Sequence, residues 1–166
     1  MTRTRSCSDS ELRDRIAAVL RLDAANYTTA REFFERNSNF FFSEPRQEYK
    51  RRADDPVIRK NLSVINKAFV DVPSEQWDEA HLKQAFHELV EDLSNKLDND
   101  YAPDFDDPTK GFRIPLQRFL RWALVGGRPG VTLMATMVLL GRDVSLQRIE
   151  DAVAAAGTLL AEETQA

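Results

Sequence analysis

Apolar residues recur along most of this chain at spacings of three and four, the period of one helix face, and no long stretch alternates as a half-buried strand would. Ser10 or Asp9 caps a first helix running to about Arg21, with Leu12, Ile16, Val19 and Leu20 on one side. Thr28 or Thr29 caps a short second helix through Phe34. Phe40-Phe41-Phe42 then precede Pro45, which ends regular structure. Asp54, Asp55 and Pro56 start a helix over about 56–69. Val72-Pro73-Ser74 is a linker, and Ser74 opens the longest helix, which ends near Leu97. Its Leu82, Ala85, Phe86, Leu89, Val90, Leu93 and Leu97 form one apolar stripe. Residues 98–107 make an acidic connecting loop. Pro115 sits in the first turn of the next helix, which runs to about Val125. Gly126-Gly-Arg-Pro-Gly130 breaks the chain, a helix over Val131–Leu140 follows, and Gly141 stops it. Ser145 or Asp143 caps a last helix with Leu146, Ile149, Val153 and Ala156 inward. The expectation is an all-α protein of about six to eight helices. A disordered arm occupies 1–8, an N-terminal helical subdomain 9–72 and a C-terminal one 73–162.

Charge divides the chain unevenly. The 166 residues carry −4 overall, yet between Pro108 and Arg148 seven basic residues face one acid, Asp143. Bulk acidity excludes whole-surface binding of nucleic acid, and the local excess of cations argues for a defined basic face. The single Cys7 excludes an intrachain disulfide and a cysteine metal site. No apolar run approaches the roughly 20 residues of a membrane-spanning helix, so no membrane partner is expected.

Signatures of catalysis and metal binding are missing. There is no Gly-rich phosphate loop, no nucleophile elbow and no His-Glu-x-x-His pattern. His81 and His87 are six residues apart on one helix and cannot share a metal there. The acidic stretch 98–107 lacks the turn glycine and terminal glutamate of a calcium loop. No metal ligand, catalytic residue or cofactor is therefore expected in this chain.

The segment Phe112–Arg148 holds the strongest candidate chemistry. On its first helix Leu116, Phe119, Leu120 and Ala123 form a core face, while Gln117, Arg118 and Arg121 share the other. That second face serves either as a reader of bases and phosphates or as an ion-paired surface against the acidic helix of residues 78–98. Gly126, Gly127 and Gly130 allow close backbone approach to a ligand, and Arg128 supplies a cation beside the next helix's N-terminus.

Phe119-Leu-Arg-Trp-Ala-Leu-Val-Gly126, followed by Leu139-Leu-Gly-Arg-Asp-Val-Ser-Leu-Gln-Arg-Ile149, resembles the C-terminal anticodon-binding domain of glutamyl-tRNA synthetases. Phe40–Phe42 before a proline and Trp77 before the long helix extend the likeness loosely upstream. The resemblance implies an orthogonally packed helical cage that receives the unstacked anticodon bases of tRNA(Glu). It implies that Arg121 contacts a base and that Leu133 packs against one. Arg118, Arg128, Arg142 and Lys110 are expected on phosphates, with Gln117 beside them. Val125 replaces the motif's Thr and Gly130-Val131 its Gly-Pro pair. The family's catalytic motifs, His-x-Gly-His and Lys-Met-Ser-Lys, do not occur in the 166 residues. Glutamate ligation and its ATP are therefore expected to belong to a separate catalytic domain, with this chain a fragment of a synthetase or a stand-alone domain acting in trans. Two other readings remain open: a lysyl-type class I synthetase with a similar cage, and a helical protein-interaction module that docks an acidic partner. The mitochondrial matrix or the cytoplasm is the expected compartment.

Overall fold

The computed structural model describes residues 8–41, 55–95, 108–127 and 130–165, except the side chains of 39–41, 56, 108–110 and 159–165. Seven α-helices and two 3-10 turns make up the described residues, with no strand among them: α1 (Asp9–Asp23), α2 (Ala30–Phe41), α3 (Pro56–Lys67), α4 (Glu79–Asn95), α5 (Pro108–Val125), α6 (Leu133–Leu140) and α7 (Arg142–Gln165). The all-α expectation holds. Residues 1–7 of the predicted arm, the break at Pro45 and the acidic loop 98–107 lie outside the described residues.

Side-chain caps explain where several helices begin. Ser8, one residue earlier than predicted, caps α1: its Oγ accepts from the Glu11 amide, and the Glu11 carboxylate accepts from the Ser8 amide at 2.8 Å. Thr29 Oγ1 accepts from the Glu32 amide at the start of α2. That helix reaches Phe41 rather than stopping near Phe34, because no Gly or Pro intervenes to break it. Asp55 accepts from the Val57 amide ahead of Pro56, as the sequence pattern indicates. The long helix starts at Glu79 instead of Ser74, since Asp78 takes the amides of both Ala80 and His81. The His81 amide first, then its imidazole, hold the Asp78 carboxyl below its usual range.

Two more boundaries moved. Pro108 begins α5, so Pro115 lies within the helix and not in its first turn. Lacking an N–H, Pro115 leaves the Gly111 carbonyl without its usual intrahelical donor. Thr132 caps α6, which is therefore two residues shorter than predicted, and α7 starts at Arg142 directly after Gly141. Ser145 is consequently no cap: its buried hydroxyl donates to the Met137 carbonyl at 3.2 Å.

Helix α5 is the hub, packing against α2, α3, α4, α6 and α7. Leu116, Phe119, Leu120, Ala123 and Leu124 on it are all buried, and one core cluster joins them to Val19 of α1, Phe33 of α2, Ile58 and Ile65 of α3, Leu82 and Val90 of α4, and Ile149 of α7. Helix α3 lies along α7, and α1 meets α6.

Long-range polar contacts fasten the turn between α3 and α4 to this core. Trp77 Nε1 donates to the Met137 carbonyl at 3.0 Å. Arg142 donates from Nε to the Val72 carbonyl at 2.9 Å and from a terminal nitrogen to the Val70 carbonyl at 2.7 Å. Hydrogen bonds from charged donors contribute more than neutral ones, about 1.5–3 kcal/mol each before strain and exposure reduce them. Arg142→Ala is accordingly expected to lower the free energy of urea unfolding by about 2 kcal/mol, with Arg142→Lys recovering only part. An unchanged unfolding midpoint in Arg142→Ala contradicts this clamp.

Candidate nucleic-acid interface

The candidate site is built on the end of α5, Gly126 and Gly127 after it, and Gly130 and Val131 before α6. Gln117 and Arg118 are exposed, as the helical wheel predicts, while Leu116, Phe119, Leu120 and Ala123 face the core. Among the described residues no carboxylate pairs with Arg118. His81 lies 2.9 Å from the Asp78 carboxylate at the start of α4, and His87 lies 3.3 Å from Glu91 one turn along the helix.

Arg121 is placed differently from its neighbours. It is half-buried, and both terminal guanidinium nitrogens donate to the Val131 carbonyl at 3.1 Å. Burial lowers its pKa from the ordinary arginine value, and the group remains cationic. The same carbonyl accepts from the buried Thr136 hydroxyl at 3.4 Å. One acceptor thus ties α5 to α6 across the turn and fixes the plane of the guanidinium.

The turn itself requires glycine. Gly127 has φ +78°, and a Cβ there would stand 3.5 Å from the buried Trp122 ring. The Gly126 amide donates to the Trp122 carbonyl at 2.8 Å, closing α5 in a left-handed end. Arg148 on α7 donates to the Leu124 carbonyl, a second cation at the negative end of the α5 dipole. Leu133, the first residue of α6, is buried in the core cluster just beyond the turn. Arg128 and the side chain of Lys110 lie outside the described residues.

The structure therefore sorts five of the seven predicted cations. Arg121, Arg142 and Arg148 are engaged on backbone carbonyls, whereas Arg113 and Arg118 are exposed. Arg142 was expected on a phosphate, and its contacts here are with Val70 and Val72.

Residues that the sequence reading passed over complete the neighbourhood. The end of α1 brings Asp23 beside Gly130, with Asn26 and Tyr27 donating to its carboxylate. Burial, followed by the hydrogen bond to Asp23, pushes the Tyr27 phenol above the ordinary tyrosine range. The signal was present: Asp23 continues the Ile16, Val19 side of α1, where an apolar residue is the default.

Elsewhere an open cleft of about 410 Å³ between α3 and α4 is lined by Asp71, Glu88 and Asp92 with Lys67. Its balance of charge is the opposite of what a phosphate backbone needs. Among the described residues no group of His, Cys, Asp and Glu is arranged to hold a metal ion, and no helix is long and apolar enough to cross a membrane.

Residues 116–153, from the middle of α5 through the turn and α6 into α7, match the family model of the anticodon binding domain. This match supports an anticodon-binding domain over the same helix–turn–helix that carries Arg118, Arg121 and Leu133. No curated protein and no solved structure matches the chain.

Proposed function

We propose that the chain binds the anticodon arm of a tRNA, tRNA(Glu) in particular, as the RNA-reading part of a glutamate–tRNA ligase whose ATP-dependent chemistry resides in a separate catalytic domain. The observation that carries this reading is the coincidence of the family match with the turn held by Arg121. Exposed Arg118 and Gln117 offer a cation and an amide along one edge of α5. Such groups meet the phosphate backbone and set register, without distinguishing sequence.

Discrimination falls to Arg121 and the turn. With both terminal nitrogens on Val131, the guanidinium presents a fixed plane, and an unstacked base meets that plane by stacking. The glycines let backbone and base approach closely. The glutamate specificity rests on the motif resemblance in α5 and α7, and Val125 and Val131 mark the contacts in which this chain departs from it.

Electrophoretic shift with tRNA(Glu), a lysine tRNA and an unrelated tRNA across a salt series tests the reading. Tightest binding to tRNA(Glu) is expected, weakening as salt rises. Arg118→Ala is expected to weaken binding to each tRNA alike and to reduce the salt slope by about one. Preference for the lysine tRNA points to a lysyl-type enzyme. No shift at moderate salt overturns the RNA reading and favours a protein-interaction module.

A further inference from the structure

Ile16, Val19 and Asp23 fall on one side of α1 at helical spacing, yet the third is a carboxylate. Asp23 is 7% exposed, whereas Asn26 and Gly130 beside it are exposed. Neutral donors engage its two oxygens, Asn26 Nδ2 at Oδ1 and the Tyr27 hydroxyl at Oδ2. Tyr27 is fixed in turn: its hydroxyl accepts from Asn37 Nδ2 at 2.9 Å, and its ring meets Phe33 edge-on with centroids 5.3 Å apart. Among the described residues no Lys or Arg pairs with Asp23. Each oxygen accepts from one donor and keeps a further lone pair, so another N–H donor is the favoured partner.

Gly130 stands beside this carboxylate. A Cβ at this position would stand 3.9 Å from Asp23 Oδ2, and φ +148° is a conformation that glycine adopts without strain. The carboxylate thus lies beside Gly130, the residue before the Val131 whose carbonyl Arg121 holds. Charge decides what enters: a carboxylate repels a phosphodiester but accepts from an exocyclic amino group.

We infer that Asp23 is a specificity-determining residue of the anticodon site, accepting a hydrogen bond from the amino group of an unstacked cytosine, adenine or guanine. The inference rests on the tRNA reading given above. Uridine presents O4 where cytosine presents its amino group, so Asp23 rejects uridine by setting acceptor against acceptor. Asn26 and Tyr27 orient the carboxylate and act only through it.

The test uses the full chain and anticodon stem-loop RNAs carrying C, A, G or U in turn at each anticodon position, titrated by fluorescence anisotropy at one salt concentration. The wild-type chain is expected to favour an amino-bearing base over U by about tenfold at one position, the C, A and G arms showing which base is taken. Asp23→Asn keeps the shape and the acceptor for Tyr27 but adds an amide donor. In this variant the preference is expected to fall to within about twofold, while affinity for the U-bearing RNA holds or rises. Asn26→Ala, at an exposed position, is expected to lower the same preference at unchanged helix content by circular dichroism, and it decides the matter if Asp23→Asn does not fold. A uniform loss on every RNA, or a preference that survives the substitutions, overturns the role of Asp23 and leaves the tRNA reading standing. Wild-type binding no tighter to these RNAs than to an unrelated hairpin overturns both.

Discussion

Arg121→Ala is expected to weaken binding of the matched anticodon arm by about 1–3 kcal/mol, roughly five- to 150-fold, and to weaken binding of an altered anticodon far less. Two losses combine in this variant. The stacking plane disappears, and the Val131 carbonyl loses two charged donors, so the end of α5 and the start of α6 are no longer tied. Arg121→Lys is expected to restore little, because an ammonium has neither the fork to hold one carbonyl through two nitrogens nor a plane on which a base can stack. Titration well below each variant's unfolding temperature separates recognition from stability. Equal losses on matched and altered RNAs reduce Arg121 to a structural clasp and remove it from base reading.

Phe119→Ala is expected to produce the largest change in stability, about 3–5 kcal/mol in urea unfolding. The ring is 1% exposed, lies at the centre of the hub helix and packs against Trp122 with centroids 6.1 Å apart. Trp122 in turn lies under Gly127, so a cavity at Phe119 loosens the floor of the candidate interface as well as the core. Domains of this kind are stabilised by about 5–15 kcal/mol in all, and the variant is expected to be partly unfolded at physiological temperature. A cost below about 1 kcal/mol contradicts the packing described for α5.

Much of the scaffold was legible because it follows from period and capping. The Leu116, Phe119, Leu120, Ala123 face is buried and Gln117 and Arg118 are exposed, as a 100° turn per residue requires. Boundaries failed where two signals competed locally. Ser74 and Asp78 both suit a helix start, and the carboxylate that takes two amides prevailed. Pro108 began α5 early enough to leave Pro115 inside it.

The candidate site was less legible, for a different reason. A basic count along the chain does not say which guanidinium meets a carbonyl. Arg121 reaches ten residues ahead to Val131, Arg148 reaches back to Leu124, and Arg142 reaches some seventy residues back to Val70 and Val72. Each of these contacts depends on tertiary placement, and each converts an apparent member of a charged face into a fastening between elements. Asp23 and Gly130 are more than a hundred residues apart in the chain, and only the packing of α1 against α6 brings them together.

The central claim is that this helix–turn–helix reads an anticodon. It is tested most directly by titrating the chain with the tRNA(Glu) anticodon stem-loop and with the same stem-loop altered at one anticodon base, in one buffer. The account predicts at least about fivefold tighter binding to the unaltered RNA, corresponding to roughly 1 kcal/mol or more for a discriminated base. Indistinguishable affinities for the two RNAs contradict it.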